Sequence, residues 1–316
     1  MARFHAVSAP QRVLVTGAAG FIGSHVVRVL LGAGCEVGIV TRPGNPLVRL
    51  RDVAGDLTLF SCDLADAKAL RPALDAWRPD ACIHLAWYAE PGKYLTAPEN
   101  VSSLTASLGL LDELIRAGCG QVVMAGTCAE YDTDVGFLRE DGPTRPLTLY
   151  AACKLSLNLI AGQIAASAGI NLVWARLFYL YGPGEDERRL VPALIRALSR
   201  GEEFPATAGA QVRDYLHVED VATALWALTE SRASGTVNVC SGVPVTMRQV
   251  METVGEIVGG GDLIRFGAVP YREWDPPFIC GDNRRLKAVT DWQPRSCALR
   301  SGLEQTVAWW RTSVVR

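Results

Sequence analysis

The sequence carries no excess of either charge. Its 31 Lys and Arg residues nearly balance its 33 Asp and Glu residues, which leaves a formal net charge of −2 over 316 residues. A nucleic-acid-binding domain usually carries a basic excess on one face, and a protein held at a membrane surface by charge carries a polybasic cluster. The charge balance therefore argues against both classes of partner. Apolar residues make up 49% of the chain and charged residues only 20%, which favours large buried strands over disorder.

Leader, disulfide and metal signatures are also missing from the sequence. The opening residues, MARFHAVSAPQ, contain no apolar run of signal-peptide length, so we expect a cytoplasmic protein. The nine cysteines are odd in number and form no C-x-x-C pair, which is typical of reduced thiols used as small apolar side chains. The four histidines, His5 among them, are scattered without metal-ligand spacing, so we expect no metal site.

One stretch raises the question of a membrane span. Residues 155–175 form 21 consecutive positions without a charged residue. The stretch nevertheless contains Ser156, Asn158, Gln163 and Asn171, and a bilayer span tolerates few such groups. The sequence therefore predicts a buried helix that runs into a strand.

Strands and helices alternate through the first half of the chain. Apolar runs without strict alternation indicate strands covered on both faces, and their rhythm with helices predicts an α/β doubly wound parallel sheet, a Rossmann fold. After residue 180 the rhythm changes, which predicts a dinucleotide-binding domain at 1–180 and a smaller mixed α/β substrate lobe at 181–316, partly interleaved with the first. The predicted strands are 12–16, 36–41, 57–62, 81–86 and 121–127, and the predicted helices are 21–32, 65–77, 101–117, 149–167, 188–200, one after 217–220, and 247–258 capped by Thr246.

The clearest motif is a glycine-rich turn between the first strand and the first helix. Gly17, Gly20 and Gly23 follow the spacing G-x-x-G-x-x-G. The first permits a sharp turn, the second lets the backbone approach a pyrophosphate, and the third lets the helix pack close to the sheet. The free N–H groups at the helix start, at Phe21 and Ile22, then face the anion. An ordinary tight turn is the alternative, but it has no need of three glycines in register.

The end of the second strand indicates the type of dinucleotide. NAD-binding versions of this fold place an acidic residue there for the ribose 2′-hydroxyl. This sequence has Thr41 and Arg42 instead. An acid would repel a 2′-phosphate, whereas a guanidinium pairs with it, so we expect NADP(H), with NAD(H) as the alternative.

A tyrosine and a lysine four residues apart form the second motif. Tyr150 and Lys154 share one face of a predicted helix. A phenol is a poor acid–base group at neutral pH, and we expect the nearby ammonium to lower its pKa. Thr127 ends a strand at the carboxyl edge of the sheet, where its hydroxyl can bond a carbonyl oxygen beside Tyr150. These three are the candidate catalytic residues, and Tyr150 and Lys154 are also expected to contact the cofactor.

Together these motifs resemble the extended short-chain dehydrogenase/reductase family, which includes nucleotide-sugar epimerases, dehydratases and reductases. The resemblance covers nearly the whole chain and implies that Asp63 and Leu64 contact the adenine side of the cofactor. It also implies that Leu85 and Ala86 lie beside the cofactor. The matching segments are TGAAGFIG at 16–23, Cys62-Asp63-Leu64, His84-Leu85-Ala86, Thr127 four residues before Tyr131, Tyr150 with Lys154, and residues 176–184 and 213–220.

On the substrate side, the resemblance implies that Arg213 holds a diphosphate, while Asp214 and His217 are structural. Trp87 and Tyr88 follow the fourth strand, where they can line the substrate pocket. Plainer roles are expected elsewhere: Asn100 holds backbone near the active-site helix, and the tryptophans at 274, 292, 309 and 310 serve packing.

Three departures from the family pattern narrow the expected reaction. Dehydratases of the family follow the catalytic threonine with an Asp-Glu pair, but Cys128 and Ala129 stand here, with Glu130 out of register, so dehydration is not expected. The family's asparagine in the Arg-Leu-Phe-Asn segment is Tyr179. The third departure is the missing NAD acid. Cys128 and Tyr179 are counted with the expected substrate-binding residues.

The expected activity is NADPH-dependent reduction of a nucleotide-linked 4-keto-6-deoxyhexose. Residues 264–272 resemble those of reductases that act on such sugars. A nucleotide-sugar 4-epimerase is the alternative, because the same three residues serve both reactions. A non-catalytic NADP sensor is a remote third possibility. Low charge and small residues on the helices at 101–117 and 149–167 also indicate a homodimer face.

Overall fold

The computed structural model describes residues 10–231, 233–272, 275–295 and 298–313. His5, Trp274 and Cys297, which entered the sequence analysis, lie outside these ranges. The strands are β1 Arg12–Thr16, β2 Glu36–Thr41, β3 Leu57–Ser61, β4 Ala81–His84, β5 Gln121–Thr127, β6 Phe137–Leu138, β7 Asn171–Leu177, β8 Tyr179–Tyr181, β9 Phe204–Ala206, β10 Val212–His217, β11 Gly235–Val239, β12 Pro244–Thr246, β13 Ile264–Phe266 and β14 Cys280–Gly281. The α-helices are α1 Phe21–Gly32, α2 Arg71–Trp77, α3 Glu99–Arg116, α4 Leu149–Ala168, α5 Leu190–Ser199, α6 Val218–Glu230, α7 Met247–Val258, α8 Arg284–Val289 and α9 Leu299–Ser313.

The predicted doubly wound parallel sheet is confirmed. Seven parallel strands lie in the order β3-β2-β1-β4-β5-β7-β11. The chain winds outward from β1 to β3 and then returns to the other side of β1, so the order reverses between β1 and β4. In open α/β sheets a ligand binds in the crevice at such a reversal, beyond the carboxyl ends of the strands.

Helix α4 contains residues 155–168 of the uncharged stretch at 155–175. It is long and apolar enough to cross a membrane by length and composition alone. Its residues Ala151, Lys154, Leu157 and Ala161 are buried, and it runs into strand β7. The prediction of a helix that runs into a strand is confirmed.

Three predicted boundaries need correction. The strand predicted at 81–86 ends at His84, because the backbone of Leu85 and Ala86 turns beneath Gly17. The helix predicted at 65–77 is a 3-10 stretch, Leu64–Leu70, broken by non-helical backbone at Asp66 and followed by α2, whose proline at the start suits a first helical turn. Smaller errors of one or two residues fall at the strand predicted to end at 62 and at the helices predicted at 101–117, 149–167 and 188–200.

The chain after residue 180 contributes to two bodies of structure. Strands β8, β10 and β12 form a second small sheet, and α5, α7 and α9 close a separate core with Leu194, Val250, Met251 and Leu303. Strand β11, however, rejoins the large sheet beside β7, and the apolar face of α6 shares a core with that of α1. The smaller sheet and its helices thus stand over the carboxyl edge, and the chain passes between the two bodies more than once. The division at residue 180 itself stays a prediction.

The eight described cysteines are free and buried. Among the described residues no group of three or more His, Cys, Asp or Glu side chains is placed to hold a metal ion.

Candidate active site

The glycine turn forms a cradle that any Cβ atom would fill. Gly17 has φ +69°, and a Cβ there would lie 2.7 Å from the Ala86 nitrogen. A Cβ at Gly23 would lie 2.2 Å from the Gly17 oxygen. Gly20 is the N-cap of α1 in extended conformation, so the first N–H groups of the helix point outward without a side-chain cap among the described residues. This arrangement fits the pyrophosphate of a dinucleotide, which needs close backbone approach and the positive end of a helix.

A buried series of hydrogen bonds joins the carboxyl ends of β1 and β4. The Thr16 hydroxyl lies 2.6 Å from His84 Nδ1, and His84 Nε2 lies 2.7 Å from the Ser107 hydroxyl. The Ala86 N–H donates to the Thr16 hydroxyl at 3.2 Å. Burial, helped by the charge of Lys154, lowers the pKa of His84 to about 3, so this imidazole stays neutral. These hydrogen bonds hold the ends of β1 and β4 together where the strand order reverses.

The residues predicted for the adenosine side lie at the ends of β2 and β3. Arg42 is exposed beyond β2, and its guanidinium has no hydrogen bond or ion pair within the described residues. Thr41 is half-buried beside it. The exposed Asp63 accepts a hydrogen bond from the Ala65 N–H at 3.0 Å, and Leu64 is half-buried. Their contacts with a cofactor stay predictions.

Thr127 and Tyr150 meet at the carboxyl edge of the sheet. Tyr150 lies in the first turn of α4, whose N-cap Thr148 accepts a hydrogen bond from the Ala151 N–H at 3.2 Å. The Thr127 side chain lies near enough to the Tyr150 phenol to lower its pKa. Burial raises the pKa of Tyr150, and the nearby Thr127 side chain opposes that rise only in part. Lys154 was expected to lower this pKa, but in the protein alone the desolvation of the phenol dominates.

Lys154 completes the group one helical turn further along α4. Its Nζ donates to the Ala125 oxygen of β5 at 2.8 Å and lies 3.8 Å from the centre of the Trp87 ring. Burial lowers the pKa of Lys154 to about 7, while the charge of Glu130 opposes that shift. The structure thus brings together the three residues that the sequence predicted as catalytic.

Aromatic side chains from the loop after β4 wall the tyrosine. The Tyr94 ring lies 4.9 Å from the Tyr150 ring in an edge-on arrangement, and the Trp87 ring lies 6.4 Å away. Asn100 holds this loop, because its amide donates to the Tyr94 oxygen at 2.6 Å and accepts from the Trp87 indole at 2.8 Å. The expected role of Asn100 is confirmed. Tyr88 turns its hydroxyl to Glu90 at 3.1 Å.

Sequence reasoning missed Tyr94 and gave Glu130 no place in the site. Tyr94 stands in a loop without a recognisable motif, so only its position before α3 hinted at the active edge. Glu130 is fully buried beneath the site: it accepts hydrogen bonds from the Thr127 N–H at 2.8 Å, the Trp174 indole at 3.0 Å and Arg176 Nε at 2.8 Å. Its carboxylate is therefore engaged by three buried donors. The expectation that this chain does not catalyse dehydration stays a prediction.

The residues predicted for the substrate lie where the small sheet meets the carboxyl edge. Cys128 is buried directly after Thr127. The Arg213 guanidinium lies 5.2 Å from the Tyr179 ring and is almost fully buried. It bonds Asp275 Oδ1 at 2.6 Å and donates to the Val212 and Pro276 oxygens at 2.8 Å each. Diphosphate binding by Arg213 stays a prediction, and in this arrangement Asp275 already neutralises its charge.

Asp214 and His217 occupy structural positions. Buried Asp214 accepts hydrogen bonds from Ser241, Gly242 and Gly281, which ties β10 to the loop after β11 and to β14. His217 is the N-cap of α6, and burial lowers its pKa to about 4. Among the described tryptophans that were expected to serve packing, Trp292 and Trp310 are buried, whereas Trp309 is 37% exposed.

The sequence matches the model of the NAD dependent epimerase/dehydratase family over residues 13–240. A UDP-glucose 4-epimerase of Corynebacterium glutamicum is 29% identical over 327 residues, which cover 96% of each chain. A dTDP-4-dehydro-6-deoxy-D-allose reductase of Streptomyces bikiniensis is 30% identical over 322 residues, covering 96% of this chain and 97% of the other. The crystal structure of a UDP-glucose 4-epimerase of Thermotoga maritima with UDP-glucose superposes with a TM-score of 0.86 at 26% identity, covering 96% of this chain and 99% of the other.

Proposed function

Because the chain belongs to the NAD dependent epimerase/dehydratase family, we propose that it is an NADPH-dependent reductase of a nucleotide-linked 4-keto-6-deoxyhexose. The observation that carries this proposal is the meeting of Thr127, Tyr150 and Lys154 at the carboxyl edge, beside the glycine cradle at the β1–β4 reversal. An acid–base tyrosine at that place faces the end of the crevice where a dinucleotide's reactive ring and a sugar carbonyl meet.

When bound, the nicotinamide cofactor supplies the hydride that a sugar ketone accepts at carbon. The Tyr150 hydroxyl donates its proton to the ketone oxygen as negative charge develops there. The Thr127 hydroxyl stabilises the same oxygen by a hydrogen bond. The Lys154 ammonium stabilises the negative charge left on the tyrosine oxygen, and Trp87 and Tyr94 keep water from the reacting atoms.

NADP(H) is the proposed form of the cofactor. Arg42 stands exposed at the end of β2, where an acid would select NAD, and it is free to pair with a 2′-phosphate. Cells keep NADPH largely reduced, which suits net reduction. We also expect a cytoplasmic enzyme that acts as a homodimer.

A nucleotide-sugar 4-epimerase is the second candidate. It uses the same three residues, and two of the relatives described above are UDP-glucose 4-epimerases. The relative from Streptomyces bikiniensis, named as a reductase of a 4-dehydro-6-deoxy sugar, favours the first candidate at slightly higher identity. A non-catalytic sensor is disfavoured, because it has no need for the assembled Thr-Tyr-Lys group.

The first test replaces the proton donor. Tyr150→Phe removes one hydroxyl and is expected to lower kcat by about 10²–10⁴-fold, the usual contribution of general acid catalysis. Cofactor affinity should be nearly unchanged, since the cradle is intact. Tyr181→Phe is the matched control, because its hydroxyl bonds Leu299 in the lobe core at 3.4 Å. Turnover by Tyr150→Phe at the wild-type rate would refute the mechanism.

The second measurement separates the two candidate activities. NADPH and NADH are titrated first, and a panel of nucleotide-linked 4-keto sugars is then offered with the preferred one. A reductase consumes NADPH in proportion to product. Interconversion of UDP-glucose and UDP-galactose without net cofactor consumption, by protein that retains tightly bound NAD, would instead establish the epimerase.

A further inference from the structure

One buried carboxyl oxygen in the loop between β8 and α5 has no hydrogen-bond partner among the described residues. Oε2 of Glu185 is buried and makes no hydrogen bond within the described residues. An unpaired buried carboxyl oxygen is costly, because burial removes the water that would otherwise solvate it. Burial accordingly raises the pKa of Glu185 to about 8, although the charge of Arg189 opposes the rise. A group held in this state without an internal partner is suited to receive one from a ligand.

The loop that carries Glu185 is fastened to the cofactor side of the crevice. It connects β8 to α5 and begins at Gly182. The Pro183 oxygen lies 2.9 Å from His25 Nε2 of α1, and the Gly184 oxygen accepts from Arg49 Nη2 at 3.0 Å. Both bonds fix the backbone immediately before Glu185, so this residue is held in place rather than left on a free loop.

The end of the same loop reaches the candidate catalytic tyrosine. The Arg189 guanidinium lies 5.4 Å from the centre of the Tyr94 ring, and that ring lies 4.9 Å from the Tyr150 ring. Arg188 Nη1 lies 3.6 Å from Glu90 Oε1, which joins the loop to the segment before α3. The two segments therefore meet over Tyr150.

The other neighbour of Glu185 belongs to the substrate lobe. Burial raises the pKa of Tyr215, and the nearby Glu185 carboxylate adds to that rise. The Tyr215 ring lies 5.8 Å from the Tyr179 ring. The loop at 182–189 therefore reaches from the wall beside Tyr150 toward the pair of tyrosines near Arg213. A sugar whose carbonyl is held at Tyr150, with its diphosphate directed toward the lobe, would pass through this space.

We propose that Glu185 recognises the substrate by a hydrogen bond between its buried carboxyl oxygen and a hydroxyl group on the sugar ring. This inference rests on the proposed function, since it takes the ligand to be a nucleotide-linked sugar. A hydroxyl both donates and accepts, so it satisfies the carboxyl group in either protonation state. An ammonium substituent would instead require the ionised carboxylate.

The test compares Glu185→Leu and Glu185→Gln with wild type in the full chain loaded with NADPH. Titration calorimetry with UDP-glucose, dTDP-glucose, UDP and dTDP reports binding without any need for turnover. Leucine removes the polar group, so we expect it to weaken binding of the sugar nucleotide that wild type prefers by about tenfold or more. The free nucleoside diphosphate should bind as in wild type. Glutamine, which still bonds a hydroxyl, should retain affinity within about threefold.

A matched control lies two residues away. Glu187 is exposed on the same loop and pairs with Arg196, so Glu187→Gln changes the loop charge without touching the crevice and should bind every probe as wild type does. Thermal unfolding checks the folded state. Because Glu185→Leu removes an unpaired buried polar group, its Tm should equal or exceed that of wild type.

Three results would overturn the inference. Equal weakening of the sugar nucleotide and the free diphosphate would place Glu185 on the nucleotide. Unchanged binding in Glu185→Leu would show that Glu185 does not contact the sugar nucleotide. A sharply lowered Tm would show that the carboxyl group supports the fold. If wild type reduces no keto sugar while the binding pattern holds, the proposed reaction fails and the recognition role of Glu185 stands.

Discussion

Burial sets the charge states of the candidate catalytic residues. Desolvation raises the pKa of Tyr150 and lowers that of Lys154 to about 7, so in the protein alone both side chains are moved toward their neutral forms. A neutral phenol carries the proton that a ketone reduction requires. In the proposed reduction the resting tyrosine is thus the proton donor, and the phenolate forms only when charge has moved to the substrate oxygen. Because the phenol already carries its proton, the tyrosine needs no change of protonation state before a reduction.

Arg42 carries the proposed choice of NADP(H). Arg42→Ala is expected to weaken NADPH binding about tenfold, the value of one hydrogen-bonded contact to a charged group, and to leave NADH binding unchanged. The reason is that only NADPH offers a 2′-phosphate to the guanidinium. Fluorescence titration of both reduced cofactors measures the two dissociation constants.

Arg51→Ala is the control for net charge, since Arg51 is another exposed arginine close along the chain. It should change both affinities equally and slightly. If wild type binds NADH as tightly as NADPH, or if Arg42→Ala weakens both alike, Arg42 does not read the 2′-phosphate.

At the scale of elements, the sequence predicted the structures that depend on local pattern. The bounds of β1, α1, β2, β5 and α7 agree with prediction, because each begins or ends at a glycine, a cap or a change from apolar to polar residues. The predicted end of β4 was wrong, because the approach of Gly17 to Ala86 is a contact between segments distant in sequence. The break at Asp66 was missed for a similar reason: the residues there have helical propensity, and tertiary packing overrides it.

The short 3-10 turn after β5 is joined to β7 under the site by a buried ion pair between Glu130 and Arg176, 2.8 Å from Nε to Oε2. Arg176→Met leaves the carboxylate buried without its cation and should lower the free energy of unfolding by about 3–5 kcal/mol. Adding Glu130→Gln should restore part of that loss, because the amide oxygen still accepts from the Thr127 N–H and no charge is stranded. Urea denaturation of the two single variants and the double variant measures the coupling.

The exposed pair of Arg139 and Asp141, 3.1 Å apart, provides the comparison. Arg139→Met should cost less than about 1 kcal/mol, as surface pairs do. Additive effects of Glu130→Gln and Arg176→Met would show that the two side chains are not energetically coupled.

For the molecule as a whole, the sequence predicted which residues form the site better than how the lobes assemble. Thr127, Tyr150 and Lys154 were found because strand ends and helix faces place them by local rules. The return of β11 to the large sheet and the contact between the loop at 182–189 and Tyr94 depend on long-range packing. No periodicity in a single sequence encodes such contacts. Glu185 could therefore not be singled out from the sequence alone.

The proposed homodimer would bury the outer face of α3 and α4. Val101 of α3 is 51% exposed, and Leu159 and Ile160 of α4 are 62% and 43% exposed, an apolar surface on two adjacent helices. We expect sedimentation velocity to show a dimer at micromolar concentration and Leu159→Glu to yield a folded monomer, because an unpaired charge would be buried at the interface. Val135→Glu, at an exposed apolar residue outside these helices, should remain dimeric. Wild-type protein that sediments as a monomer, or Leu159→Glu that sediments as a dimer, would place the association surface elsewhere or remove it.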